Sequence, residues 1–113
     1  MLFLLPSIPG TMEERRNLRP IANHSARWQE LFEEVSELAQ LAEELGFDAV
    51  GFPEHHLHSE GFEMGAPPEF LLYTAMQTKK IHVGPIGYVL PGWDPLRLAT
   101  STSWIDKLTQ GPT

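Results

Sequence analysis

The stretch "WQELFEEVSELAQLAEELGFDAVGFPEHH" restricts the fold more than any other part of the chain. Trp28, Leu31, Phe32, Val35, Leu38, Ala39, Ala42 and Leu45 recur every three to four residues, which places them along one side of an α-helix of about 20 residues. Glu33, Glu34, Glu37, Gln40, Glu43 and Glu44 fall largely on the other side and read as a solvated face. Ser25 or Asn23 can cap the start; Gly46 offers the left-handed position after the end, and Phe47 can pack back on the helix. Directly afterwards Ala49 to Phe52 is apolar without alternation, as in a strand covered on both faces. A one-sided helix feeding such a strand implies layered α/β packing.

The rest of the chain repeats that unit. Leu2 to Leu5 reads as a short buried strand, and "PSIPGT" as loop. Met12 to Asn23, charged and holding Pro20, reads as a long connecting loop. "PPEFLLYTAMQT" predicts a helix with Pro67 or Pro68 in its first turn. "KKIHVGPIGYVLP" predicts another buried strand, and Pro85, with no N–H to give, marks a bulge or the strand's end. "DPLRLATSTSWIDKLTQG" predicts a helix capped by Asp94, opened by Pro95 and stopped by Gly111. Strand and helix thus alternate three times, which argues for a parallel sheet with right-handed crossovers, either a small open sheet or part of a barrel. Both architectures place their sites at the carboxyl ends of strands. Glu54, His55 and His56 lie just past the second strand, and Gly87 to Gly92 at the end of the third.

With 113 residues the chain suits one domain, residues 1–113. A formal charge of −7 leaves no basic footprint for nucleic acid and would repel anionic membranes. Cysteine is absent, which excludes disulfides and thiolate metal sites. The opening "MLFLLPSIPG" is too short in apolar residues for a signal peptide or a membrane span. A soluble, cytoplasmic chain is the expectation.

The densest chemistry lies in "FPEHHLHSEGFEMG". His56 and His58 are two apart, so on an extended segment they face the same way and could hold zinc with Glu54 or Glu60, as in a metal hydrolase. Such sites recruit ligands from later strands, whereas His82 falls inside the third strand and Asp94 reads as a cap. A strand-end histidine beside a carboxylate could instead do acid–base work, or could merely hydrogen-bond across its loop. "GPIGYVLPG" lacks the spacing of a phosphate loop. Glycine there either admits a flat ligand over Gly87 or relieves crowding around Gly84 and Gly87. Trp28, Phe32, Phe47 and Phe52 read as core, and Trp93 as either pocket lining or packing on the helix that follows.

Taken in order, "LAEELGFDAVGFPEHH", "IHVGPIGYVLPGWDPLRLA" and "WIDKLTQG" resemble the bacterial luciferase-like flavin-dependent monooxygenases, over roughly Leu2 to Gly111. That family folds as a TIM barrel of about 250 residues. The resemblance implies that this chain carries the first three βα units of the eight, as an N-terminal fragment whose final "GPT" departs from the family's continuation. It also implies reduced FMN, or F420 in some branches, and oxygen acting on a small organic substrate. A flavin reductase as partner and a dimer in the full-length form go with it. By position, His55 matches the family's essential histidine, an acid/base or hydrogen-bond partner near the flavin, and Glu54 the glutamate that supports it. Ile86 and Gly87 match the pair packed on the isoalloxazine ring, joined in some relatives by a non-prolyl cis peptide. His56 and Tyr88 would be pocket residues. The family's phosphate-binding residues lie beyond Thr113. Two alternatives stand beside this reading: a non-catalytic flavin-binding or assembly module or remnant, and the metal hydrolase using His56 and His58.

Overall fold

Three parallel strands, β1 (Leu2–Phe3), β2 (Ala49–Phe52) and β3 (His82–Pro85), form one sheet in the order β1-β2-β3 in the computed structural model, which describes residues 1–65 and 67–109. Leu2 aligns with Val50, and Val50 with Val83, so the strands sit level with one another. Among the described residues α1 (Met12–Asn17) and α2 (Ser25–Glu44) lie between β1 and β2, α3 (Pro67–Gln77) lies between β2 and β3, and α4 (Pro95–Leu108) follows β3. Val50, Phe52 and Val83 pack with Leu31 and Val35 of α2 and Phe70 and Leu71 of α3 in one core. Phe52 stacks on Phe70 at 5.3 Å between ring centroids. The expected α/β order and parallel sheet are therefore present. Among the described residues, no helix is long and apolar enough to cross a membrane.

Local signals account for most element ends. Gly46 takes φ +84°, and Phe47 donates its N–H to Ala42 O at 3.0 Å, closing α2 as the glycine predicts. Asp94 caps α4 by accepting from Arg97 N–H at 2.9 Å, with Pro95 in the first turn. Pro85 is the last residue of β3. The Gly111 stop lies outside the described residues. The buried stripe of α2 is narrower than its apolar pattern: Leu31, Val35, Ala39 and Ala42 are buried, whereas Leu38 and Leu45 are exposed. Only the side turned to the sheet and α3 is covered. Phe47, expected in the core, is exposed too. The expected cap at Ser25 or Asn23 is absent, because the chain enters α2 through a 3-10 turn, Ile21–Asn23, and His24 takes the cap position without a side-chain bond.

Met12 to Asn23 is not the connecting loop expected. Thr11 and Glu14 form a reciprocal capping box, Thr11 N–H to Glu14 Oε2 at 2.7 Å and Glu14 N–H to Thr11 Oγ1 at 3.1 Å, and this box starts α1. The helix is too short for apolar periodicity to betray it. Its Arg15 is buried; the guanidinium donates to Glu60 O at 2.9 Å and to Ile8 O, and lies 4.1 Å from the centroid of the Phe62 ring. One arginine thereby ties the loop after β1 to the loop after β2.

Glu43 also departs from its expected place on a solvated face. Its carboxylate accepts from the main-chain N–H groups of Lys79 (2.9 Å), Lys80 (2.5 Å) and Ile81 (2.8 Å), the turn that leads into β3. The Lys80 N–H, with those of Ile81 and Lys79, holds its carboxyl below the usual glutamate range against the opposing effect of burial. A lowered folded-state pKa gives stability that is present above the ordinary range and is lost as pH falls toward the lowered value. Glu43→Ala should therefore cost about 1–3 kcal/mol at neutral pH. Urea midpoints of variant and parent should converge as the pH is taken down through the carboxylate range.

Candidate functional site

β2 delivers the chain through Pro53 to Glu54, whose side chain turns inward. Glu54 is only 7% exposed. Its carboxylate accepts from Val89 N–H at 2.6 Å, from the Trp93 indole N–H at 2.9 and 3.0 Å, and from His56 Nε2–H at 2.7 Å. Burial pushes its carboxyl up, but the Val89, Trp93 and His56 donors outweigh that and leave it below the usual range. The group is thus a fixed anion with its lone pairs engaged, suited to holding neighbours rather than to exchanging protons. Trp93 packs edge-on against Tyr88, centroids 6.0 Å apart. The spacing of the residues gives no sign of the Glu54–Trp93 pair; the one available hint is that an indole N–H withdrawn from water needs an acceptor.

His55 is half-buried and held on three sides. Its main-chain N–H donates to Gly65 O at 3.1 Å, and its ring Nδ1 lies 2.5 Å from Glu63 O. A carbonyl only accepts, so Nδ1 is the donor, and the neutral tautomer that fits this bond has its lone pair on Nε2. The ring stacks on His58 with centroids 4.8 Å apart and planes 14° from parallel. Gly65 is required here, because a Cβ on it would stand 2.3 Å from Pro53 O. Leu57 (φ 59°) and Glu63 (φ 49°) occupy the left-handed region that such residues rarely adopt. Backbone strain of this kind concentrates at sites where geometry is imposed by function.

The pairing inside the motif differs from the simple sequence reading. The carboxylate of Glu54 engages exposed His56, not His55. His56 and His58, the proposed zinc pair, are sent to different partners: His56 to Glu54, and His58 to the His55 ring and to Phe62 O at 3.0 Å. Among the described residues no three His, Asp or Glu side chains gather around a common point that could hold a metal.

At the end of β3, Ile86 donates its N–H to Phe52 O at 2.9 Å, carrying the ladder one step past Pro85. Its side chain covers Gly51, where a Cβ would lie 2.5 Å from Ile86 Cδ1, and is still 46% exposed. A Cβ built on Gly87 or Gly84 would meet nothing within 4 Å. Among the described residues nothing crowds either glycine. The one cis peptide among the described residues is Arg19–Pro20, so the Ile86–Gly87 bond is trans. Tyr88 is half-buried, and its hydroxyl lies 3.4 Å from Thr102 Oγ1 of α4. Glu54 and His55 thus follow β2, and Ile86, Gly87 and Tyr88 follow its neighbour β3, the two strand ends being linked by Ile86 N–H to Phe52 O and by Val89 N–H to Glu54.

The family model described as luciferase-like monooxygenase matches residues 13–111. The alkanal monooxygenase alpha chain of Photorhabdus laumondii is 33% identical over 82 residues, covering 73% of this chain and 23% of that one. The alkanal monooxygenase alpha chain of the Kryptophanaron alfredi symbiont is 31% identical over 109 residues, covering 96% of this chain and 26% of its own. Among solved structures, a monooxygenase from Streptomyces bottropensis matches with a TM-score of 0.70 at 29% identity, over 98% of this chain and 31% of that chain. The oxygenating constituent of the Pseudomonas putida 3,6-diketocamphane monooxygenase, solved with FMN, matches in fold with a TM-score of 0.68 at 23% identity, over 97% of this chain and 26% of its own. The chain spans about a quarter of the length of the curated relatives.

Glu54→Gln should expose how much the site leans on one carboxylate. An amide presents a single acceptor oxygen to donors now shared by two, and its NH₂ would meet an N–H. The expected loss is about 1–3 kcal/mol of unfolding free energy, together with an upfield move of the Trp93 indole N–H signal. Unchanged stability and an unmoved indole signal would refute the assigned role.

Proposed function

Because the chain belongs to the luciferase-like monooxygenase family, we propose that residues 1–113 form the strand-end part of a flavin-dependent monooxygenase site. That site uses reduced FMN and oxygen to oxidise a small organic molecule. The observation that carries this reading is His55, held half-buried past β2 with its Nδ1 proton committed to Glu63 O and its Nε2 lone pair left to act. Such a nitrogen can take a proton from a reacting group and return it. Glu54 is the positioning residue: it fixes the start of this loop to the loop after β3.

The residues present suit a flat, largely apolar ring. Half-exposed Ile86 offers an apolar ledge, and the space beside Gly87 is open. When bound there, reduced FMN would supply the electrons for oxygen activation; the solved neighbour with FMN supports that choice over F420, whose ring has the same shape. No residue of this chain is assigned to the flavin phosphate. The broader proposal is that the three βα units are the first of a (β/α)8 barrel, working in the cytoplasm as a dimer fed by a flavin reductase. A second reading, a non-catalytic flavin-binding or assembly module, draws on the outer edges of β1 and β3, which pair with no strand among the described residues.

A chimera tests both. Residues 1–113 would replace the matching part of the Photorhabdus alkanal monooxygenase alpha chain, co-expressed with its own partner subunit. Oxygen uptake driven by reduced FMN is expected from it, and His55→Ala should lower turnover by about 10²-fold or more while flavin binding persists. Unchanged turnover in that variant removes His55 from the chemistry. A chimera that binds flavin without consuming oxygen favours the module.

A further inference from the structure

Four aromatic side chains meet between α2 and α3, and the flavin reading uses none of them. Trp28, Phe32, Phe70 and Tyr73, together with Glu69, line a cleft of about 260 Å³. We propose that this cleft binds the trimethylammonium group of a small quaternary ammonium solute such as choline. Trp28 and Tyr73 lie 6.1 and 5.6 Å from Phe32, tilted to it by 36° and 50°, and Phe70 lies 6.2 Å from it at 62°. Rings that meet at such angles leave a hollow where a parallel stack would leave none. Trp28, Phe32 and Tyr73 are half-buried, so the hollow opens to solvent. The polar tips of the rings are engaged elsewhere: the Trp28 indole N–H donates to Ala22 O at 2.8 Å, and the Tyr73 hydroxyl to Phe32 O at 3.1 Å. Both rings are thereby fixed, and what they offer the cleft is carbon and π surface.

That surface selects a class of ligand. Aromatic faces attract cations, and quaternary ammonium groups suit them best. Glu69 is the one charged side chain of the lining; it is exposed and makes no ion pair among the described residues. Arg27, next to Trp28 in the sequence, is neutralised by Glu14 at 3.3 Å and Glu30 at 3.2 Å. The formal charge of −7 draws cations to the chain as a whole. A primary ammonium carries three N–H donors, and each needs an acceptor on leaving water. The wall of this cleft is almost wholly apolar and cannot supply them. A trimethylammonium group has no donor to satisfy; its methyl groups fill apolar space while its charge meets the rings and Glu69. The site stands on this cleft and not on the flavin reading.

The probe is choline chloride, titrated into the 113-residue chain and followed by NMR. Saturable shifts of the Trp28 indole and Tyr73 ring signals are expected, with those of Trp93 and Trp104 unmoved. The neutral isostere of choline, in which a tert-butyl group replaces trimethylammonium, has the same shape without the charge. It should bind about tenfold more weakly; equal affinity would overturn the cation site and leave a merely apolar cleft. Glu69→Gln, a conservative change at an exposed position, should weaken choline about threefold and leave the isostere unchanged. Thermal unfolding confirms that this variant is folded. Phosphatidylcholine vesicles separate a lipid headgroup from a free solute: co-sedimentation with them, without a response to choline, would overturn the free-solute reading. Shifts that do not saturate, or that centre on Trp93 or Trp104, would overturn the site itself.

Discussion

Glu54 sits where the end of β2 meets the loop that follows β3, and its carboxylate is the acceptor on which that junction depends. It takes a main-chain N–H from Val89 and an indole N–H from Trp93. Removing a carboxylate from water is costly, and charge-assisted hydrogen bonds of this kind are what offset the cost. Glu43 does the same thing at the opposite end of β3, gathering the N–H groups of Lys79, Lys80 and Ile81. The third strand is thus clasped at both ends by carboxylates from other elements. These clasps add to the ladder that pairs the four residues of β3 with β2 on one side.

Features written in short-range chemistry were readable from the residues alone. The period of α2, the apolar run of β2, the cap at Asp94, the turn at Gly46 and the stop at Pro85 all rest on neighbours within a few positions. Features set by partners far along the chain were not. Arg15 reaches Glu60, and Glu54 reaches Val89 and Trp93, across 35 to 45 positions. Charged side chains of this sort read as solvent-facing until the fold supplies their acceptors and donors. The missed α1 is the exception, since Thr11-x-x-Glu14 is a local signal; it was hidden by a segment rich in charge and holding a proline.

The candidate site divides along the same line. Its location followed from the strand–helix order, and the family resemblance singled out His55 within it. The wiring did not follow. Alternation along an extended segment would pair His56 with His58, but the loop is not extended. Left-handed Leu57 and Glu63 fold it back, so that His58 meets His55 and His56 meets Glu54. Which nitrogen of His55 keeps its lone pair depends on a carbonyl eight residues away, a fact that no spacing rule contains.

That folded-back loop has a further meaning. His55 N–H to Gly65 O closes its base, Gly65 lies too near Pro53 O to bear a side chain, and Ile8 N–H to Gly61 O and Met64 N–H to Pro6 O bind its far limb to the loop after β1. The segment is in effect a closed ring of main chain stitched to a neighbour. Its length is therefore quantised: adding or removing a residue between Gly61 and Gly65 would shift every stitch out of register. The outer tip at Leu57, which is 99% exposed, is the least enclosed part of the loop and the place where an insertion disturbs fewest of these bonds. Length variation among functional descendants of this chain should collect at that tip, and the stitched limb should keep its count and its glycines at Gly61 and Gly65.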